Sequence, residues 1–425
     1  MATKRFDPHR FAMTKESAGY ASDRQLLYRW TGNHWTVVDD RDGETEAYRW
    51  IVENDRDNAS AENAKKAHRA AIFWAEPLPP PTREIVIPCR NGYITPRDGM
   101  IEFQLPDPSL GLRHVLNADY QSHAVRAPRF HAFLERVLPD PAVRARVQEY
   151  VGYTLTGDAR YQRAQFWLGS GANGKGVLAN IVQALHGRPE AVQLDALDGF
   201  RLSVLIGASL IYCDEAPRGR INEQLLKSMI AGESIQVDRK YRDPVSIHVR
   251  GKWLVLGNHL PTITDHSTGF WRRWDIIPFS VTIPERERDP LLAQHIREHE
   301  LSGVLNWALE GLLRLSKRGA FDQVLPAAMQ SVLHEAKADT NSVQAWFDDS
   351  AIAFTTDPKS RKDDVYADYR VWCEGNGLSP MASPRFWTRL REIGPVEESR
   401  KRLGGDQVRV CNVILPSRAE PAWRR

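Results

Sequence analysis

Between Phe166 and Leu185 the chain runs FWLGSGANGKGVLANIVQAL, and no other stretch restricts its fold as strongly. Three apolar residues suited to a buried strand precede a glycine-rich turn, and an amphipathic helical pattern follows it. Strand, loop, helix is the order that a phosphate-binding loop requires. Gly169, Gly171 and Gly174 let the backbone turn its amides inward, while the helix N-terminus adds partial positive charge. The segment Gly169, Ser170, Gly171, Ala172, Asn173, Gly174, Lys175 and Gly176 is therefore expected to hold a nucleotide, with Lys175 on its β and γ phosphates. A bare GxxxxGK string arises by chance in about one chain in ten of this length, so the expectation rests on the flanking strand and helix. Gly176 stands where most such loops carry a serine or threonine hydroxyl for magnesium. Either water or another side chain completes the magnesium shell, or the site binds nucleotide and hydrolyses it poorly.

Thirty-nine residues after Lys175, LIYCDEAP brings an apolar strand to Asp214-Glu215. Acids at the carboxyl end of a strand beside the loop can hold magnesium through water, for which we assign Asp214, and polarise an attacking water, for which we assign Glu215. Taken alone, two acids at a strand end are more often a solvated terminus; the spacing from Lys175 favours the site. KWLVLGNHLP ends a third strand in Asn258, placed to sense the γ phosphate or the lytic water, although a lone asparagine is more often a turn residue. In GFWRRWDIIPF, Arg272 and Arg273 lie between aromatics, where structural stacking competes with an arginine finger. IQVDRKYRDPVSIHV forms two alternating runs around Arg239, Lys240, Tyr241 and Arg242. A solvated hairpin is the plain reading; three cations and a ring also suit tracking of a single-stranded backbone.

The rest of the chain divides by composition. LLYRWTGNHWTVV suggests a hairpin turning at Gly32-Asn33, and a polar helix is expected over residues 59–74. The proline run 77–81 reads as a linker, and Asp39, Asp40 and Asp42 in VVDDRDG as a turn with solvated charges. After a strand and turn unit, residues 128–152 show helical spacing of Phe130, Phe133, Leu134, Val137, Val143, Val147 and Val151. Strand candidates Phe166-Trp167-Leu168, Leu210–Cys213 and Trp253–Leu256 alternate with helices, the mark of an α/β core with a largely parallel sheet. The last 70 or so residues read as helix, helix and a hairpin closed at Gly404-Gly405. With 57 lysines and arginines against 54 acids, a nucleic-acid role cannot be argued from overall charge and needs local basic patches. From Arg385 onward there are ten basic residues against five acids, so Arg385, Arg389 and Arg391 could face duplex phosphates, or the helix could simply pack Phe386, Trp387 and Leu390 inward. Four scattered cysteines form no metal knuckle, and no apolar run approaches the roughly 20 residues that span a bilayer. A soluble, cytoplasmic protein is expected.

With Lys175, Asp214-Glu215, Asn258 and Arg272-Arg273 in this order within about 105 residues, the chain resembles the superfamily 3 helicases of DNA viruses, phages and plasmids. It is most similar to the poxvirus and phage/plasmid primase-helicase branch, whose NGK-type loop GSGANGKG matches. The resemblance covers roughly residues 85–415. It implies an α/β fold with an AAA+-like P-loop motor core, a preceding helical domain and a C-terminal winged-helix domain. The corresponding segments are 1–80, a small α+β region of unknown role; 81–158, a helical collar; 159–325, the ATPase core; and 326–425, a helical linker and winged helix. ATP and Mg2+ are the implied cofactors, with Asp214 as the metal residue. Lys175, Asp214, Glu215 and Asn258 would act in cis, and Arg272 or Arg273 in trans, within a ring, usually a hexamer, that moves along single-stranded DNA. Lys240-Tyr241 match the family's DNA-tracking hairpin. The motor begins too early to leave room for the primase-polymerase domain of many relatives, so a separate primase or other replication protein is an expected partner. The alternative is a nucleotide-regulated origin-binding protein without strong motor activity, which Gly176 and the basic C-terminal segment would suit.

Overall fold

The computed structural model describes residues 5–16, 19–97, 99–121, 125–239, 242–263, 268–340, 342–357, 360–376, 378, 380–403 and 406–415. They fall into two compact units, residues 1–262 with 267–329, and residues 263–266 with 330–425. The first unit opens with α1 (His9–Ala12) and strands β1 (Tyr20–Ser22), β2 (Leu27–Trp30) and β3 (Trp35–Val37), with β2 antiparallel to both others. Helices α2 (Asp40–Asn54) and α3 (Ala61–Trp74) bury Ala47, Ile51, Ala64, Ala67 and Ala71 against Phe11 and Leu27.

The hairpin at Gly32 and the helix α3 follow the sequence reading, but α2 corrects it. The acids of VVDDRDG start a helix: the Asp39 side chain caps it by accepting from the Arg41 amide at 2.8 Å. Gly43 looks like a helix breaker, yet it is there because His68 packs against it; an added Cβ would lie 2.2 Å from the imidazole. Pro77, expected in a linker, instead ends β4 (Glu76–Pro77), which pairs in parallel with β1 at the edge of the sheet β3-β2-β1-β4, an edge position where proline is tolerated.

A small antiparallel meander follows, β5 (Ile87–Cys89), β6 (Gly92–Arg97) and β7 (Met100–Gln104). Then come α4 (Pro128–Val137) and α5 (Pro141–Thr154), each with proline in its first turn, where a missing N–H breaks no helical bond. The central part of the chain supplies β8 (Ala164–Leu168), α6 (Lys175–Leu185), β9 (Pro189–Ala191), β10 (Leu210–Cys213) and α7 (Glu223–Ile230). A hairpin of β11 (Ser234–Arg239) and β12 (Arg242–His248) comes next, then β13 (Lys252–Gly257), α8 (Thr268–Trp271) and β14 (Trp274–Pro278). Helices α9 (Leu292–His299) and α10 (Leu301–Arg318) close the unit. Five of these strands form one sheet in the order β14-β8-β13-β10-β9, every neighbouring pair parallel. The fold is thus mixed α/β around a parallel sheet. The three apolar strand candidates are all in it, together with β9 and β14, which were not expected as strands.

Helix α5 is buried on all sides because α10 lies against it almost without side chains between. A Cβ on Gly152 would come within 2.4 Å of Ala308 O, and one on Gly311 within 2.4 Å of Gln148 O, so each glycine admits the other helix's backbone. On its other side α5 carries Arg146, 4% exposed, whose Nε and Nη2 reach Asp275 Oδ2 and Oδ1 of β14 at 2.6 and 2.9 Å. This two-pronged bond ties the helical layer to the edge of the parallel sheet. No helix among the described residues is long and apolar enough to cross a membrane, and all four cysteines are buried and unpaired.

Helix α11 (Ala327–Thr340) leads into the second unit, which holds α12 (Ser342–Asp349), β15 (Ala353–Phe354), β16 (Ser360–Arg361), α13 (Lys362–Gly375) and α14 (Ser383–Ile393). It ends with β17 (Glu398–Leu403), β18 (Asp406–Cys411) and β19 (Val413–Ile414). Its core gathers Trp346, Tyr369, Phe386, Leu390 and Val413. Strands β17 and β18 pair antiparallel down to Leu403 opposite Asp406, while the turn residues Gly404-Gly405 lie outside the described residues.

Asp275 is fully buried, its partner Arg146 nearly so, and Arg163 reaches it at 3.5 Å; removing the carboxylate strands buried cations in a low dielectric. Asp275→Ala should lower the unfolding free energy by about 3–5 kcal/mol in urea titrations of the full chain. Pairing it with Arg146→Met should recover much of that loss. A single variant as stable as the parent would show that the pair ties nothing.

Candidate functional site

Parallel strands carry all their carboxyl ends to one edge of a sheet, and the glycine-rich loop, Asp214, Glu215 and Asn258 collect there because they directly follow β8, β10 and β13. The loop after β8 is built around one buried side chain. Asn173, 3% exposed, donates from Nδ2 to Phe279 O at 3.2 Å and accepts at Oδ1 from the Lys175 amide at 3.4 Å. Gly169 must lack a side chain, since a Cβ would sit 2.2 Å from Asn173 Nδ2 and 2.5 Å from Phe279 O. Its amide donates to Gly257 O at 3.1 Å, fixing the loop to β13. Gly171, Ala172 and Gly174 take positive φ of 102°, 50° and 81°, and the alanine among them is a strained backbone position. Helix α6 then starts at Lys175 with no side chain capping its first turn, so its leading amides are free for an anion.

Lys175 is nearly buried and crosses the mouth of this loop. Its Nζ donates to Gly169 O at 2.7 Å and to Asn258 Oδ1 at 3.0 Å, so the end of β13 meets the end of β8 through one ammonium. Burial lowers the Lys175 pKa, and the nearby Glu215 carboxylate opposes that shift. Asp214 and Glu215 follow β10 directly and are both exposed. Partial burial raises the Asp214 pKa, and neither carboxylate has a hydrogen-bond partner in the described residues. An added Cβ at Gly176 would meet no atom within 4 Å, so the glycine is not there for lack of space.

The donor set fits a nucleotide with magnesium. Among the described residues no cluster of three or more metal-ligating side chains exists, and magnesium characteristically takes one or two carboxylates together with phosphate oxygens and water. Asp214 and Glu215 beside Lys175 match that pattern.

Arg272 and Arg273 are not part of this cluster. They precede β14, whose Trp274 pairs with Ala164 at the start of β8, and so lie at the amino edge of the sheet, roughly 15 Å of strand away from the loop. The two differ in environment. Arg273 is 9% exposed, bonded through Nη1 to Gly269 O, with its Nε buried and unpartnered; Arg272 is exposed.

At the β11–β12 hairpin, Arg239 pairs in register with Arg242, while Lys240 and Tyr241 lie outside the described residues. Arg239 is held at 2.8 Å by Asp40 of α2, a carboxylate that also takes the buried His68 at 3.0 Å. Sequence reasoning missed Asp40 and Asp275. A lone acid inside the apolar run of RRWDIIPF was the available sign for Asp275; none pointed to Asp40. In α14, Arg389 pairs with Glu392 at 2.7 Å and Arg391 with Glu398, whereas Arg385 is exposed with no ion pair to a described residue.

A family of unknown function, DUF5906, matches residues 167–273, the stretch from β8 through the arginine pair. Over 367 residues the chain is 23% identical to "Putative helicase 121R" of Invertebrate iridescent virus 3, an alignment covering 73% of this chain and 38% of that protein. It is 27% identical over 160 residues to "Putative helicase L207/L206" of Acanthamoeba polyphaga mimivirus, covering 35% of this chain and 17% of that protein. The chain therefore spans well under half the length of these relatives. Among solved structures, the apo C-terminal region of NrS-1 (305–718) superposes with a TM-score of 0.52 at 12% identity, covering 96% of this chain and 100% of that one. The chain is thus similar in sequence to viral proteins named as helicases, and shares its fold with the NrS-1 region over nearly its whole length.

Proposed function

We propose that this chain is the motor of an ATP-dependent replicative DNA helicase of a phage, plasmid or similar mobile element, working as a ring, usually a hexamer, on single-stranded DNA. The observation that carries the proposal is the Lys175 ammonium bonded to both Gly169 O and Asn258 Oδ1 at the carboxyl edge of the sheet, beside two unpartnered acids. Counting only its own five strands, the sheet runs fifth, first, fourth, third, second, so β8 marks the point where strand order reverses, the usual crevice for ligands in open parallel sheets. Similarity to viral proteins named as helicases supports the same reading, as does the order of the motifs in superfamily 3. The described C-terminal order of helix, helix and hairpin suits a winged helix within residues 326–425, and the division proposed with it gives 1–80 to a small α+β region of unknown role, 81–158 to a helical collar and 159–325 to the ATPase core.

In this mechanism the amides after Gly171 and the start of α6 bind the phosphates, and Lys175 exchanges its two oxygen partners for β and γ phosphate oxygens. Asn258, released from Lys175, is placed to hydrogen-bond the γ phosphate or the attacking water. Glu215 orients that water and takes its proton. Asp214 would hold the metal, and magnesium when bound would supply the neutralising charge for phosphoryl transfer. Gly176 has no hydroxyl to offer that metal, so its ligands would come from elsewhere.

The position of Arg272 and Arg273 supports action in trans. At the opposite edge of the sheet, neither can reach its own chain's loop. Arg272, exposed, is the arginine free to enter a neighbour's site, and Arg273 the one that fixes the turn. Arg239, Lys240, Tyr241 and Arg242 are assigned to single-stranded DNA, and Arg385, Arg389 and Arg391 to duplex, with Arg385 the least encumbered.

Gly176 also favours a second reading, a nucleotide-regulated origin-binding protein with negligible turnover. Under the motor reading, ATPase activity should be stimulated by single-stranded DNA and fall at least about 100-fold in Lys175→Ala, the scale for losing one charge-stabilising donor. Tight ATP binding without DNA-stimulated turnover, and duplex affinity unchanged in Glu215→Gln, would favour the second reading.

Subunit mixing checks the arginine assignment. Lys175→Ala and Arg272→Ala chains should each be inactive alone yet regain ATPase activity when mixed, because some interfaces then join an intact loop to an intact arginine. No recovery, with both variants assembling, would remove Arg272 from the trans role.

A further inference from the structure

At the amino edge of the parallel sheet, opposite the glycine-rich loop, the molecule forms a partly open pocket of about 550 Å³. Residues just before three strands line it, among them Arg188 before β9, Ser209 before β10 and Arg250 before β13. The N-terminal sheet contributes Asp23 and Tyr28, and the segment after β7 contributes Arg113. The pocket is large enough for a small phosphorylated molecule or a short stretch of nucleic-acid backbone.

Its charge is unbalanced. Arg113 and Arg250 form no ion pair with any described residue, and both are partly buried. Arg113 lies over the Tyr28 ring at 5.3 Å, and its Nε is buried with no hydrogen-bond partner. Arg250 makes one long bond, to Gly157 O at 3.4 Å. Asp23, the single carboxylate among the lining residues, is already committed: Oδ1 accepts from the amides of Gln25 and Leu26, and Oδ2 from the Tyr28 hydroxyl at 3.0 Å. Asp158, the other carboxylate near Arg250, is held by Arg160 at 2.7 Å. Burial pushes the Arg250 pKa down to about 10, and Arg113 adds to the fall while Tyr28 and Asp158 oppose it. Arg188, also lining it, is paired with Glu190 at 2.9 Å and is not needed for the imbalance.

We propose that Arg113 and Arg250 form a second anion site, separate from the glycine-rich loop, which takes the phosphate of a phosphorylated ligand. Two guanidinium groups offer forked donors matched to phosphate oxygens. The phosphate could be that of a free phosphorylated molecule or of a nucleic-acid backbone passing the base of the β11–β12 hairpin, whose Ser234 and Ser246 share the wall. The inference does not rest on the helicase reading.

The test uses the full chain carrying Lys175→Ala, so that the glycine-rich loop contributes little, with inorganic tripolyphosphate and a labelled oligothymidylate as probes at matched ionic strength. One equivalent of tripolyphosphate per chain should bind, raise the melting temperature, and lose at least about tenfold in affinity in Arg113→Gln or Arg250→Gln, the scale for one charge-assisted hydrogen bond. If the oligothymidylate displaces tripolyphosphate and is weakened by the same substitutions, the backbone is the source; if tripolyphosphate alone responds, the source is a free phosphorylated molecule. Affinities for both probes unchanged by both substitutions would overturn the site. Should the glutamine variants fail to fold, phenylglyoxal labelling of the parent decides. Tripolyphosphate protection of Arg113 and Arg250 supports the site, and equal labelling with and without it overturns it.

Discussion

The parallel pairing of β8 between β13 and β14 is the constraint on which the rest of this molecule depends. Strands that run the same way deliver their carboxyl ends to one edge and their amino ends to the other, and the chain divides its chemistry accordingly. Loop amides, Lys175, Asp214, Glu215 and Asn258 fall on one edge. Arg272, Arg273, Arg113 and Arg250 fall on the other. Reversing one strand would scatter a cluster that no single loop holds together, since its members are separated by up to 89 residues of chain, from Gly169 to Asn258.

Packing then fixes how those edges are presented. The Gly152 and Gly311 contacts let α5 and α10 approach to backbone distance, and the Arg146–Asp275 bond fastens that pair to β14. Strand β14 begins directly after the two arginines, so their position follows from a bond made by a helix more than 120 residues earlier. On another side, Asp40 draws Arg239 and His68 together, joining α2 and α3 to the hairpin. Residues 1–80, whose role was opaque from sequence, thus make direct polar contact with the β11–β12 hairpin.

Much of this was legible in the chain because strong local signals agreed with the global fold. The glycine loop, the three apolar strands and the helical spacing from Phe130 to Val151 are each short-range patterns, and all are present as elements. What was missed depends on partners distant in sequence. Asp40 looked like a solvated charge because nothing near it says that Arg239 and His68 will arrive. Gly43 hid a helix, since its meaning is the imbalance of space beside His68 and not the freedom of its own backbone. Strand β14 was hidden by its arginines, and Pro77 by the run of prolines after it. Which arginine is free to act was also beyond the sequence, because Arg272 and Arg273 differ only in what surrounds them.

The central claim is that a site assembled on one edge of the sheet is completed by an arginine from the opposite edge of another copy. Particle images of the full chain with a non-hydrolysable ATP analogue and single-stranded DNA test it most directly. The account predicts a closed ring in which the Arg272 guanidinium lies within about 3 Å of the γ phosphate bound by Lys175 of the adjoining copy. A monomer under these conditions, or a ring whose interfaces leave Arg272 in solvent, would contradict it.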